Sequence, residues 1–326
     1  MSNDIFFLAE FAGGAPQRSA LELAAGAKEL AAASGGTTVA LAYGPGAADG
    51  AMALGAHGVA RAIVLGDDNV PAITHGPAAA ETIRAESPLA VLAPATPNGR
   101  DLAAALVGLA DLPAFGPVRA VRVVDGTVET EQATLQGSVI TTARPVDGAA
   151  QPSVVLVLAN TFTPAEGGSG SAEVTQAAAS DHPFTRATIA ESHEAEAKVV
   201  NLEEATVIVA GGRGVQSEAG FEPLRELAAV MGGAVGASRA AADAGWIPYQ
   251  LQIGQTGKVV KPALYIGAGI SGAIQHRVGM QTAEHVVAIN RDPDAPIGEF
   301  ADLFVVGDLF AIIPKLTEEI RRRKGA

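Results

Sequence analysis

Along the first hundred residues, short apolar runs alternate with stretches whose apolar positions recur at helical spacing. Residues 5–10, 37–43, 61–65 and 89–93 read as buried strands. Residues 19–33 carry the 3.6-residue period and stop at Gly35-Gly36, a helix-ending signal. Gly44-Pro45-Gly46 marks a turn, and residues 101–109 read as a helix after Asn98-Gly99. Such β-α-β-α alternation predicts a parallel sheet with helices on its faces.

The rhythm then changes. Residues 118–124, 127–134, 138–143 and 153–159 are strand-like, with Asp125-Gly126 as a tight hairpin signal between the first two. The first three read as hairpin strands and the fourth as a strand returning to the sheet. Residues 167–171 form a Gly/Ser stretch, and the polar segment 193–198 precedes a strong new strand. A domain boundary is expected near 197–204, giving domains over residues 1–200 and 201–326.

The second half restarts the alternation. Residues 206–210, 263–266, 285–289 and 303–306 read as strands, and 221–231 and 312–324 as helices. Each strand runs into small or polar residues: Gly211-Gly212-Arg213-Gly214, the segment 267–272, Asn290, and Gly307-Asp308. The expected architecture is α/β in two domains, each with a mainly parallel sheet flanked by helices. The C-terminal domain is expected to be Rossmann-like.

Composition narrows the function. The chain has 326 residues, which at roughly 150 residues per domain favours two. Its apolar fraction of 48% includes only 4% aromatics, so the core is mostly aliphatic, as helices on a parallel sheet require. The formal charge of −13 argues against a nucleic-acid partner and against adhesion to anionic lipid. No apolar run approaches the 18 residues of a membrane span. The N-terminus lacks signal-peptide and transit-peptide features, so a cytoplasmic, bacterial protein is expected. The absence of cysteine excludes thiol catalysis and Cys-ligated zinc or iron–sulfur clusters, so any redox chemistry must come from an organic cofactor. His57, His75, His182, His193 and His285 show no metal spacing, and no metal is expected.

Ligands of open α/β sheets bind at the carboxyl ends of the strands. Residues 267–272 match G-x-G-x-x-G after a strand, with Asp292 further on, which by itself suggests a dinucleotide loop. Small residues there let backbone amides approach a pyrophosphate, whose charge a helix N-terminus favours. With 38 glycines in the chain, chance matches to so short a motif are expected, and Asn290 rather than an acid ends the next strand. Other loops repeat the logic. Ser238-Arg239, Gln255-Thr256 with Lys258, and Ser271 with Gln275-His276 each set polar side chains among small residues. A large anionic ligand with a pyrophosphate, sugars and rings would use that many donors.

Five strings, in this order and spacing, resemble the FAD domain of the electron transfer flavoprotein α-subunit (FixB) family. They are Gly-Gly-Arg-Gly at 211–214, Val-Gly-Ala-Ser-Arg-Ala-Ala at 235–241, Gly-Gln-Thr-Gly-Lys at 254–258, Gly-Ile-Ser-Gly-Ala-Ile-Gln-His at 269–276 and Ala-Ile-Asn-Arg-Asp-Pro at 288–293. The N-terminal half is similar to the family's first domain more loosely, through Leu8-Ala9-Glu10 and the Gly-rich turn and helix that follow.

The resemblance implies bound FAD, and a heterodimer with a β subunit that packs on the N-terminal domain and commonly holds AMP. It also implies one-electron transfer from flavoprotein dehydrogenases, such as those of fatty acid β-oxidation, to an electron transfer flavoprotein–quinone oxidoreductase. The protein would then be a carrier without a substrate of its own. By the same resemblance, Arg239 lies close to the flavin ring, Thr256 hydrogen-bonds near N5, and His276 approaches O2 and stabilises negative charge there. Gln255 borders the ring as well, and Ile253 and Gly254 belong to the cofactor-binding set. Ser238, Ser271, Gly272, Ala273, Ile274 and Gln275 line the ribityl and pyrophosphate region, Arg213 contacts the nucleotide, and Asn290 and Asp308 the adenosine end.

Plainer roles exist for each residue. His276 could only cap a helix, Arg239 could be a surface ion pair, Thr256 and Ser271 could be turn residues, and Asp308 could N-cap the last helix. Residues 321–324, all basic, are most simply a solvated helix end. An NAD-dependent dehydrogenase using residues 267–272 is the alternative enzyme, although no base constellation accompanies it. A nucleotide-binding module without redox activity is a third reading, and absence of flavin colour would mark it.

Overall fold

The computed structural model describes residues 2–135, 139–146, 152–178, 180–191 and 201–325. By internal packing the chain divides into two units, Met1–Ala133 with Ile140–Glu194, and Thr134–Val139 with Ala195–Ala326. The polar segment 193–198, and His193 with it, lie outside the described residues, as do residues 197–200 of the stretch expected to hold the boundary.

In the first unit the strands are β1 (Ile5–Ala12), β2 (Ala15–Pro16), β3 (Thr38–Tyr43), β4 (Arg61–Gly66), β5 (Ala90–Pro94), β6 (Ala114–Val118), β7 (Ala120–Val124), β8 (Thr127–Thr134), β9 (Val139–Ala143), β10 (Ser153–Val157) and β11 (Glu173–Gln176). The helices are α1 (Arg18–Ser34), α2 (Ala47–Gly50), α3 (Gly76–Glu86) and α4 (Pro97–Ala110). The main sheet runs β11-β4-β3-β1-β5-β10-β6, and every neighbouring pair along that path is parallel. Short β2 adds an antiparallel pair to β1.

Period-two alternation along β1 explains why both faces are covered. Ile5, Phe7, Ala9 and Phe11 join the cluster that takes Ala20, Leu23, Ala24 and Ala27 of α1. Phe6 and Leu8 point the other way, to Ala79, Ala80 and Ile83 of α3 and Leu102 and Leu106 of α4.

Several local outcomes differ from the sequence reading. Residues 118–124 are two strands: β6 completes the main sheet and β7 opens a small sheet ordered β7-β8-β9. Asp125 and Gly126 both take positive φ, 52° and 73°, the tight turn that joins Val124 to Thr127. Helix α4 starts at Pro97 rather than after Gly99, because the Thr96 side chain accepts the Gly99 N–H at 3.1 Å and Pro fits the first helical turn. Helix α3 had little visible periodicity, its buried face being Gly76, Pro77, Ala79, Ala80 and Ile83.

The second unit holds β12 (Val207–Gly211), β13 (Ala234–Ala237), β14 (Leu264–Ala268), β15 (His285–Asn290) and β16 (Leu303–Val306). Its helices are α5 (Glu222–Met231), α6 (Arg239–Asp243), α7 (Ile274–Met280) and α8 (Leu309–Lys324). All five strands are parallel, in the order β13-β12-β14-β15-β16. One face buries Ile266 and Ala268 with Leu224, Leu227, Leu309 and Ile313 of α5 and α8. The other buries Tyr265 with Ile253, Val260, Met280 and Ile297. Strand β13 overlaps the small-residue string 235–241, which carries no strand pattern of its own. Its four residues include a glycine and two alanines, and pairing with β12 makes it a strand. Among the described residues no helix is long and apolar enough to cross a membrane.

Candidate functional site

The second sheet grows from β12 in two directions: β13 lies on one side, and β14, β15 and β16 follow on the other. The strand order reverses between β12 and β14, and that is where an open parallel sheet leaves a crevice for a ligand. The sequence-predicted residues collect on this edge. Arg213 follows β12, Ser238 and Arg239 follow β13, residues 271–276 follow β14, Asn290 ends β15, and Asp308 follows β16.

A belt of backbone hydrogen bonds ties these strand ends together. Gly212 N–H donates to Ala268 O at 2.9 Å, Gly214 N–H to Gly269 O at 3.0 Å, and Ser238 N–H to Gly211 O at 2.9 Å. Gly269 N–H reaches Ile289 O at 2.8 Å, and Gly307 N–H reaches Asn290 O at 2.8 Å. The segment 253–258 lies outside the strand register but is held on the same edge. Ile253 N–H donates to Ala237 O at 2.8 Å, and Gln255 N–H to Gln275 O at 2.8 Å. At Gly272 φ is +86°, and a Cβ there would lie 2.3 Å from Ile297 N, so only glycine lets the 269–273 loop pack on the segment before β16.

The side chains divide into those engaged within the protein and those turned outward. Asn290 braces the edge, with Nδ2 donating to Ile270 O at 2.9 Å and Oδ1 accepting Asp292 N–H at 3.1 Å. Asp308 N-caps α8 by accepting Phe310 N–H at 3.0 Å, and its other oxygen takes Arg291 Nη2 at 2.6 Å. The Arg291 guanidinium and the cap hold its carboxyl below the usual carboxylate range. Thr256 Oγ1 accepts Gln252 Nε2 at 3.0 Å. Ser238 sits at the N-cap position of α6 with its hydroxyl capping nothing.

His276 is the most enclosed of the set, 6% exposed. Its Nδ1 lies 3.0 Å from Ile253 O and its Nε2 2.7 Å from the Tyr265 hydroxyl. Burial pushes the imidazole down to about 4, so it is neutral at pH 7. Both ring nitrogens are thus engaged inside the protein, behind the loop rather than on its open side.

Arg213, Arg239, Gln255, Thr256, Ser271, Ala273, Ile274 and Gln275 are exposed on this edge. Arg239 is 67% exposed in its side chain, with Nε 3.3 Å from Asp243 Oδ2. Tyr249 donates its hydroxyl to Asp243 Oδ1 at 3.0 Å. An apolar side chain 63% exposed, Ile274, stands among these polar groups. Tyr265, Asp243 and Tyr249 were not singled out from the sequence. The signal for Tyr265 was present, a hydroxyl-bearing residue inside the apolar run 263–266.

The dinucleotide-loop alternative fits this geometry poorly. Gly267 lies inside β14 rather than in the turn, and Asn290, where an acid would meet a ribose, is engaged in bracing the loop. The residues present do fit a flavin dinucleotide. They supply loops closed enough to present backbone amides, a cation, hydroxyl and amide donors and an apolar surface, all on one edge. A dinucleotide-binding flavoprotein is the class this fold and edge define.

The comparisons with known proteins agree. The electron transfer flavoprotein FAD-binding domain matches residues 201–281, and the electron transfer flavoprotein domain matches residues 5–182. The electron transfer flavoprotein subunit alpha of Paracoccus denitrificans is 39% identical over 230 residues, covering 71% of this chain and 72% of that protein. The chain belongs to the electron transfer flavoprotein α-subunit family. Higher identity comes over shorter spans: 62% over 130 residues with the subunit alpha of Thermoanaerobacterium thermosaccharolyticum and 58% over 137 with that of Bacillus subtilis. Those alignments span 39% and 42% of the relatives' lengths.

Proposed function

We propose that this chain is the FAD-holding subunit of a heterodimeric carrier that moves electrons one at a time and has no substrate of its own. The observation that carries this is the strand-end edge at the reversal between β12 and β14, where five loops are locked by backbone bonds while Arg239, Thr256 and residues 273–275 stay exposed. When bound, FAD supplies the redox chemistry, because it accepts and releases electrons singly as well as in pairs.

The chain's own groups bind and tune. The exposed guanidinium of Arg239 places a positive charge beside the ring and favours its reduced, anionic form. The Thr256 hydroxyl, held by Gln252, serves the N5 region, with Ile253, Gly254 and Gln255 alongside. Ser238 and the segment from Ser271 to Gln275 receive the ribityl chain and pyrophosphate. The first N–H groups of α7 lack intrahelical acceptors, as in any helix. Arg213, Asn290 and Asp308 border the adenosine end, the last two chiefly by fixing the loops there.

Residues 201–326 form the FAD domain in this reading. Residues 1–200 form the domain against which a β subunit packs, and that subunit holds AMP. Electrons arrive from flavoprotein dehydrogenases, those of fatty acid β-oxidation among them, and leave to a quinone oxidoreductase of the membrane. The protein works in the bacterial cytoplasm.

The test is a visible spectrum recorded during stepwise anaerobic reduction of the chain co-expressed with its β subunit. A flavin spectrum that bleaches in two separate one-electron phases is expected. Flavin that takes both electrons in a single phase keeps the cofactor and removes the one-electron mechanism. A colourless, correctly assembled heterodimer overturns the reading.

A further inference from the structure

We infer that Asp243 is a positioning residue of the cofactor edge: held by Tyr249 on one oxygen, its carboxylate holds the Arg239 guanidinium on the other and so limits how far that cation acts on the ligand's ring. The inference rests on the proposed FAD reading for the identity of the ligand and deepens it, by naming the group that tempers the cation beside the ring.

Helix α6 is only five residues long, with Arg239 first and Asp243 last. That order puts a cation at the helix N-terminus and an anion at its C-terminus, the reverse of what the helix dipole favours. The two side chains are 67% and 48% exposed, and an exposed ion pair adds little to stability. Stabilising α6 is therefore not what this pair supplies. The helix is anchored without it. Ala241 and Ala242 are buried, their N–H groups reach Ser238 O at 3.1 and 3.2 Å, and Trp246 N–H reaches Ala241 O at 3.2 Å.

Both oxygens of Asp243 are engaged. Oδ2 accepts Arg239 Nε at 3.3 Å, and Oδ1 accepts the Tyr249 hydroxyl at 3.0 Å. The hydrogen bond to Asp243 and its charge push the Tyr249 hydroxyl up, while Arg239 acts on it in the opposite sense, so the three groups share one field. Tyr249 also begins the segment that runs into the 253–258 loop, and Gln252 N–H reaches Tyr249 O at 3.0 Å. The carboxylate thus joins α6 to the approach of the loop that carries Thr256. The ion pair uses Arg239 Nε and leaves both Nη groups for a second acceptor. A reduced, anionic flavin ring is such an acceptor, and it competes with Asp243 for the same guanidinium. The firmer the hold of Asp243, the smaller the preference of the edge for the reduced ring.

The test is a redox titration of the co-expressed, FAD-loaded heterodimer in a double-mutant cycle. Asp243→Asn keeps an oxygen in place and removes the charge. It is expected to raise the preference for reduced over oxidised FAD roughly three- to tenfold, read as a two-electron midpoint potential higher by about 15–30 mV. The same change made beside Arg239→Ala should move the preference by less than about twofold, because the carboxylate then has no cation to restrain. Asp243→Glu keeps the charge and should leave the potential closer to wild type than Asp243→Asn does. Far-ultraviolet circular dichroism is expected to stay native in each variant, since both side chains are exposed. A potential in Asp243→Asn equal to or below that of the wild type overturns the proposal. An equal rise with and without Arg239 also overturns it, because Asp243 would then act on the ring directly. A wild-type heterodimer without flavin overturns the FAD reading and this proposal with it, whereas bound flavin with an unmoved potential overturns the proposal alone.

Discussion

At the scale of single residues, the strand-end edge separates groups that hold the fold from groups free to meet a ligand. His276 belongs to the first kind. Its folded imidazole lies at about 4, below the ordinary value of about 6.5 for an unfolded histidine. The unfolded chain therefore takes up the proton first. The contribution is complete above pH 6.5, and it is lost as pH falls toward 4, a difference on the order of 3 kcal/mol with about 2 kcal/mol gone by pH 5. Burial lowers His75 in the same direction, so the wild type alone cannot apportion the effect. Urea unfolding of wild type and His276→Gln at about pH 7 and about pH 5 can: the variant should lose less stability on acidification, and an equal loss in both rejects the assignment. Arg239 belongs to the second kind. Its ion pair with Asp243 is exposed, so Arg239→Ala should change the unfolding free energy by no more than about 0.5 kcal/mol. The same substitution should lower the flavin midpoint potential in a redox titration, because a cation near the ring is gone. An unchanged potential would leave Arg239 as a surface residue only.

At the scale of elements, the glycine-rich loops act as close-packing devices more than as a phosphate motif. The sequence match at 267–272 counted three equivalent glycines, yet Gly267 is part of β14 and only Gly269 and Gly272 take positive φ. Gly272 additionally faces Ile297 N at 2.3 Å from where a Cβ would be. Gly272→Ala is therefore expected to cost more than about 1 kcal/mol in urea unfolding and to release FAD from the purified heterodimer, read as lost visible absorbance. Retention of both stability and flavin would show that the loop tolerates a side chain. Capping follows the same local logic: Asp308 takes the N-cap of α8 that its position before an apolar helix suggests, and Thr96 starts α4 at Pro97, four residues before the helix expected from residue 101.

At the scale of the whole molecule, each unit contains a parallel sheet buried on both faces. In the second unit, residues from five strands and four helices form its two clusters, and all of them lie between 201 and 325. A fragment spanning residues 201–326 is accordingly expected to unfold in a single cooperative urea transition that coincides by circular dichroism and tryptophan fluorescence, with Trp246 as the reporter. Non-coincident or gradual transitions would show that this unit depends on the rest of the chain.

The order of apolar runs and helical stretches by itself determined that the chain is α/β, where most strands fall, and which strand ends carry polar residues, because burial on both sheet faces imposes that pattern on local sequence. The five strings between 211 and 293 pointed to the family for the same local reason: loops that must lie close to one another and to a ligand tolerate few residue types. Other features were decided only by tertiary structure. Strand order, and hence the reversal between β12 and β14, depends on pairings between segments distant in the chain. The four small residues of β13 become a strand only against β12. Tyr265 looks like any apolar strand residue until folding brings it 2.7 Å from His276, whose other ring nitrogen lies 3.0 Å from Ile253 O. A side chain's chemistry is written in the sequence, but the partner that satisfies it is chosen by packing.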